Sequence, residues 1–354
     1  MTDVPSSSPK PKLTGIEALR GIAALSVLLY HAARHVNAAS GAPLLMGAFQ
    51  AGHAGVDLFF VLSGFLILHV HGRDIGRPGR IGHYARQRFT RVMPLYWIAL
   101  GLTILKAMGG GHDFPGMDAA LRSVLLLPGW QEPLLGPAWS LQHELVFYIV
   151  FAVLILHRGA GLALLGLWGV AVLAGLSGGL DANVPFQIIG HYNLEFLFGL
   201  VVALVLPRLR GGRMLSILGV LLLVAAGLME GQGWFDGYGV AGRFAYGLPS
   251  AMLIAGLAAL SKEREFAIPR WLGALGGASY SIYLFQFLFM GLAVKFWQMV
   301  GMEKRPDLGW LLFLLMVCAG IVGGLLTSRL VEKPLLRWMR RGVGKRPEPV
   351  LGSA

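Results

Sequence analysis

GWLLFLLMVCAGIVGGLLTSRLV, residues 309–331, carries no charged side chain before Arg329. A helix needs about 20 predominantly apolar residues to cross the hydrocarbon core of a bilayer. This stretch meets that length, and nine others of the same character precede it, at 16–36, 54–71, 92–108, 138–157, 160–178, 191–207, 214–230, 243–260 and 278–300. The expected fold is therefore all-α, a polytopic bundle of about ten transmembrane helices. A shorter apolar run, Ala119–Leu127, ends at Pro128 and is expected to lie at the interface or to re-enter.

Composition agrees. Only 14% of the 354 residues are charged and the mean hydropathy is +0.65, whereas a soluble domain is about 25% charged. The net charge is +12, but the basic residues sit in connections between apolar runs. No basic-aromatic platform or reader motif accompanies them, so nucleic acid is not an expected partner. Most of the 30 Lys and Arg fall in alternate connections, which by the positive-inside rule places both termini in the cytoplasm. The single cysteine, Cys318, excludes an internal disulfide and a cysteine metal site. The expected organisation is a polar tail at 1–12, a membrane domain at 13–338 and a basic, mobile tail at 339–354. The first apolar run is read as a retained helix rather than a cleaved signal, because it holds Arg20 and His31.

Ionisable groups inside a membrane are costly and mark a site by default. Arg20 and His31 are eleven residues apart. At the helical repeat this puts them on one stripe, offset by about 20° and about 16 Å along the axis. A bland reading of Arg20 is an interfacial anchor. His35, one turn beyond His31, is expected at the surface. Asp57 and Ser63 lie in the second helix, where Ser63-Gly64 also suits close helix packing. Glu144, in the fourth helix, is expected at a depth comparable with His31. Glu195 is read as a structural partner for a neighbouring helix. Arg86, Arg88 and Arg91 are expected in a loop before the third helix. They suit phosphate, because guanidinium is a planar, bidentate donor, and equally suit topology and lipid headgroups.

Six strings in order carry a resemblance: Arg20 with His31; Phe59-Phe60-Val61-Leu62-Ser63-Gly64-Phe65; Arg86, Arg88 and Arg91 before Pro94; Trp139 through Tyr148; Ser279-Tyr280-Ser281-Ile282-Tyr283-Leu284; and Glu332-Lys333-Pro334. Together they resemble the acyltransferase-3 family of integral membrane O-acyltransferases, across residues 13 to about 338. One position departs from that pattern. Gln286 stands where many members have histidine, and glutamine cannot titrate.

The resemblance implies acyl-CoA, acetyl-CoA by default, as co-substrate, with no bound cofactor and no metal. It implies a hydroxyl acceptor on a cell-surface glycan, lipid-linked sugar or related molecule, and a bacterial inner membrane. In this reading His31, Glu144 and Arg20 are catalytic, with His31 and Glu144 sharing one cavity. His31 either removes the acceptor's proton or carries the acyl group itself, and Glu144 orients it. Arg86, Arg88 and Arg91 hold the CoA phosphates. Asp57, Ser63, Trp139, Tyr148 and Tyr283 contact substrate. Membrane lipid is a further partner, and oligomeric state is not legible. The competing readings are a transporter or flippase, against which no internal repeat is visible, and a non-catalytic scaffold or sensor. A metal or haem site at His31 and His35 lacks completing ligands.

Overall fold

The computed structural model describes residues 13–40, 43–110, 114, 116–177, 184–263 and 267–341. The segment 1–12, residues 342–354, and His112, Asp113 and Arg264 of the connections lie outside the described residues, and with them most of both expected tails.

Among the described residues the chain is helical, without a strand. In order the helices are α1 (Thr14–Ser40), α2 (Pro43–Phe49), α3 (Gly55–His71), α4 (Ile81–Gly109), α5 (Met117–Val124), α6 (Ala138–Leu156), α7 (Arg158–Gly175), α8 (Phe186–Ile189), α9 (Asn193–Val205), α10 (Gly212–Gly231), α11 (Val240–Glu263), α12 (Arg270–Met299), α13 (Gly309–Thr327) and α14 (Lys333–Arg341). Ten segments are long and apolar enough to cross a membrane, and they coincide one for one with the ten apolar stretches of the sequence. The run at 119–127 forms the short helix α5 and does not span.

One boundary differs in a way that matters. The arginines Arg86, Arg88 and Arg91 are not in a loop; they lie on the first turns of α4. Charge removed them from the apolar window, but residues 81–91 contain Ala, Arg and Gln, all good helix formers. The helix runs on through Pro94. Holding guanidinium groups on a helix fixes their spacing as no loop would.

α1 is the central element and packs against α3, α11, α12 and α13. Ala23, Ala24, Ala32 and Ala33 on it are buried, and such small side chains let neighbouring backbones approach. α3 crosses α9 closely. A Cβ added to Gly64 would overlap the Phe196 carbonyl, and one added to Gly199 would overlap the Val61 carbonyl. The packing reading of Ser63-Gly64 therefore holds for the glycine. By contrast, only 22% of α7 and 17% of the α10 span are buried, so these two helices lie on the outside of the bundle along most of their length.

Candidate active site

A cavity of about 780 Å³ opens between α1, α3, α4, α6, α12 and α14. Arg20, Arg86, Arg88 and Arg91 line it, with Glu144 the one carboxylate in its wall. Each α4 arginine is positioned differently. Arg86 Nη2 donates to the Met339 carbonyl at 2.6 Å, tying α14 to α4. Arg91 pairs with Glu332 at 3.3 Å, and the other oxygen of that carboxylate accepts from Ser281 Oγ at 2.6 Å. The Arg88 guanidinium lies 5.7 Å from the centre of the Tyr148 ring, and its Nε is buried with no hydrogen-bond partner. A buried, unused charged donor is uncommon in a folded protein, and Arg88 is one of the residues that line the cavity.

Deeper in the same cavity, Glu144 accepts hydrogen bonds from Ser63 Oγ at 2.6 Å and from the Tyr148 hydroxyl. Short bonds of this kind are what a half-buried carboxylate needs in place of water.

A second cavity, of about 400 Å³, lies beyond the first. His31, His53, Arg34, Trp139 and Gln286 line it, with no carboxylate among the lining residues. The remainder of the wall is largely aromatic, including Tyr192, Tyr238 and Phe287. The His31 ring meets Phe287 edge-on at 4.6 Å and Tyr30 at 5.0 Å. His53 Nε2 lies 2.9 and 3.1 Å from the two carboxylate oxygens of Glu230. The Tyr238 ring stacks on His53 at 4.5 Å, and its hydroxyl donates to that of Tyr30. Burial and that bond push the Tyr238 phenol up, so it remains a neutral donor at physiological pH. Gln286, where a titrating residue is the commoner choice, is buried and donates Nε2 to the Tyr283 carbonyl at 2.9 Å. It braces the backbone of the wall.

The two cavities meet at Val56 and Tyr283, which line both. The Tyr283 hydroxyl is hydrogen-bonded to Ser140 Oγ at 2.7 Å, so the partition is one side chain thick and tied across α6 and α12. The stripe on α1 is realised: Arg20 lines the first cavity and His31 the second. The contact expected between His31 and Glu144 is not formed. Glu144 faces the cavity of Arg20, and its bonds go to Ser63 and Tyr148. The helical repeat fixes which residues share a face of α1, but it does not determine which part of α6 comes opposite.

The residues expected to contact substrate divide as well. Ser63 and Tyr148 line the first cavity, Trp139 the second and Tyr283 both. Asp57 lines neither. It is buried in an ion pair with Arg243 Nη1 at 2.6 Å, and the same nitrogen is 3.4 Å from Glu195. A carboxylate in the membrane takes a cation as its partner, here from α11. Glu195, read as a structural partner, has that partner in Arg243. His53, Glu230 and Arg243 are the site-forming residues the sequence reading passed over. Their signal was present, since each is an ionisable residue at the end of an apolar run.

The comparisons with known proteins follow the same outline. The family model for an acyltransferase domain matches residues 13–329. The exopolysaccharide production protein ExoZ of Rhizobium meliloti (strain 1021) is 29% identical over 312 residues, covering 82% of this chain and 91% of the relative. Protein 2 in the picA locus of Rhizobium radiobacter is 30% identical over 174 residues, 42% of this chain and 84% of that protein. YrhL of Bacillus subtilis (strain 168), named as a candidate peptidoglycan O-acetyltransferase, is 27% identical over 166 residues, 45% of this chain and 22% of that longer protein. No solved structure matches the chain. Since the family match takes in all but the ends of the ten-span bundle and every element that builds the two cavities except α14, the chain belongs to the acyltransferase-3 family.

Proposed function

We propose that the protein transfers an acyl group, in the first instance acetyl, from cytoplasmic acyl-CoA to a hydroxyl of a cell-surface glycan or lipid-linked sugar across a bacterial inner membrane. The observation that carries this reading is the pair of cavities, cationic and aromatic, set back to back with Val56 and Tyr283 between them. The positive-inside rule turns the arginine cavity toward the cytoplasm, with both termini on that side. CoA is found there, and its phosphates are matched by guanidinium donors. The aromatic cavity then faces outward. Tyr and Trp walls offer the apolar body and polar edge that a sugar ring meets well. The printed names of ExoZ and YrhL, which refer to exopolysaccharide and peptidoglycan, point to acceptors of this class.

The residues take roles in that order. Arg86, Arg88, Arg91 and Arg20 hold the donor. Glu144, with Ser63 and Tyr148, lies on the path of the thioester. His31 acts on the acyl carbonyl from the acceptor side, as the nitrogen that carries the acyl group or as a base on the incoming hydroxyl. Trp139 and Tyr283 contact the acceptor and the transferred group. The direct test is mass spectrometry of envelope glycans and lipids from cells with and without the chain. A defined mass gain names both acyl group and acceptor. Unchanged glycans, together with no release of CoA from labelled acetyl-CoA by the purified protein, would leave transport or scaffolding as the function.

Arg88→Ala is expected to raise the apparent KM for acetyl-CoA about tenfold or more, from the loss of a charged hydrogen bond worth about 1.5–3 kcal/mol, with a smaller change in kcat. Initial rates over a range of acetyl-CoA check this. An unchanged KM would return the arginines to topology and lipid binding.

A further inference from the structure

His53 lies in the 3-10 turn Gln50–Ala54 that leads into α3, and Glu230 lies near the end of α10. His53 lines the second cavity and meets Glu230 behind that wall, with side chains only 5% and 3% exposed. Both carboxylate oxygens are within hydrogen-bond distance of Nε2, and the Tyr246 hydroxyl donates to the same carboxylate. The Tyr238 ring stacked on one face and the Tyr246 ring edge-on at 5.5 Å fix the imidazole plane. A carboxylate on Nε2 selects the tautomer protonated there. It leaves Nδ1 with the lone pair, as an acceptor whose orientation the carboxylate fixes. His31, in the same cavity, has aromatic neighbours and, among the described residues, no carboxylate partner. Of the two imidazoles, His53 is the one held by a carboxylate.

We propose that His53, held by Glu230, is the base that deprotonates the acceptor hydroxyl. This rests on the acyltransferase reading above. As the hydroxyl oxygen bonds to the acyl carbonyl carbon, its proton passes to Nδ1 of His53. The carbon–sulfur bond breaks and CoA leaves as thiolate. The imidazolium returns its proton to water, from which the thiolate is protonated, so the products are the ester, free CoA thiol and neutral His53. His31 is left to act at the acyl carbonyl, and Glu144 is not required to orient an imidazole.

The experiment uses the full chain in detergent, labelled acetyl-CoA, and de-O-acetylated extracellular polysaccharide and peptidoglycan from the source cells as acceptor probes. His53→Ala is expected to lower kcat for transfer about a hundredfold, within the usual range for a lost general base. Glu230→Gln, which keeps the shape and removes the charge, should lower it about tenfold with the KM for acetyl-CoA unchanged, tenfold being about 1.4 kcal/mol. Added imidazole should restore part of the activity of His53→Ala, which a purely structural defect would not allow. Wild-type kcat in both variants overturns the assignment. So does a loss that imidazole leaves untouched and that comes with lost acetyl-CoA binding, since that assigns the pair to packing. A wild-type protein that releases no CoA with any acceptor sinks the acyltransferase reading itself, whereas wild-type turnover with indifferent variants sinks the base alone.

Discussion

His31→Ala is expected to abolish acyl transfer while the protein inserts, folds and binds acetyl-CoA as before. The reason lies in how little else His31 does. Its ring is half-buried at the second cavity, and its contacts among the described residues are aromatic, with Tyr30 and Phe287. Removing it breaks no hydrogen bond that fastens one helix to another. Its neighbours on α1, Tyr30 and Ala32, remain buried in the bundle. The Arg20 end of the helix, where the donor is proposed to dock, lies about 16 Å away at the helical rise. A catalytic imidazole contributes about 10²–10⁴ in rate, so kcat should fall to background with KM for acetyl-CoA and melting temperature near wild type. The measurement is labelled acetyl transfer by matched amounts of purified protein. Substantial transfer by the variant would remove His31 from the chemistry. Acid quenching of the wild type with acetyl-CoA and no acceptor adds a second readout, because an acetylated His31 peptide identifies a covalent route.

How far this was legible in the sequence depends on the range of the interaction. The ten spans were legible because bilayer thickness imposes a length on each apolar run independently of its neighbours. The stripe from Arg20 to His31 was legible because it rests on the repeat of a single helix. The start of α4 was not, because a hydropathy window stops at charge and a helix does not. The partners were hidden for a different reason. His53 and Glu230 are 177 positions apart, and Arg243 is joined to carboxylates on α3 and α9. Ionisable residues in a membrane must find partners, but which finds which is decided by helix packing. Glu144 shows the consequence. The imidazole expected to meet Glu144 is His31, yet the bundle gives this carboxylate a serine and a tyrosine, and pairs His53 with Glu230 outside the family strings.

Arg243→Met is expected to have the largest effect on stability of any single substitution. Arg243 is fully buried, and so are both of its carboxylate partners, Asp57 and Glu195. Its guanidinium lies 3.9 Å from the centre of the Tyr192 ring, and it donates to the carbonyls of Gly237 and Gly239 on either side of Tyr238. One side chain therefore joins α3, α9 and α11 and holds two aromatic walls of the second cavity. Removing one partner of a buried ionic group typically costs about 3–5 kcal/mol, because charge is left without compensation. Here it would be left on two carboxylates. A marked drop in melting temperature in detergent should result, with loss of transfer even below the transition, as Tyr192 and Tyr238 lose their support. Desolvation of the stranded carboxylates also points to the remedy. Adding Asp57→Asn and Glu195→Gln to Arg243→Met removes the stranded charges and should recover much of the stability, since the three sites form one network and their effects do not add. Transfer should not return with it, because nothing in the neutral triple variant replaces the guanidinium beneath Tyr192 or its bonds to the Tyr238 segment. A single variant as stable as wild type would show that the cluster is not ionic in the folded protein. A triple variant that regains full transfer would show that Arg243 has no part in shaping the acceptor cavity.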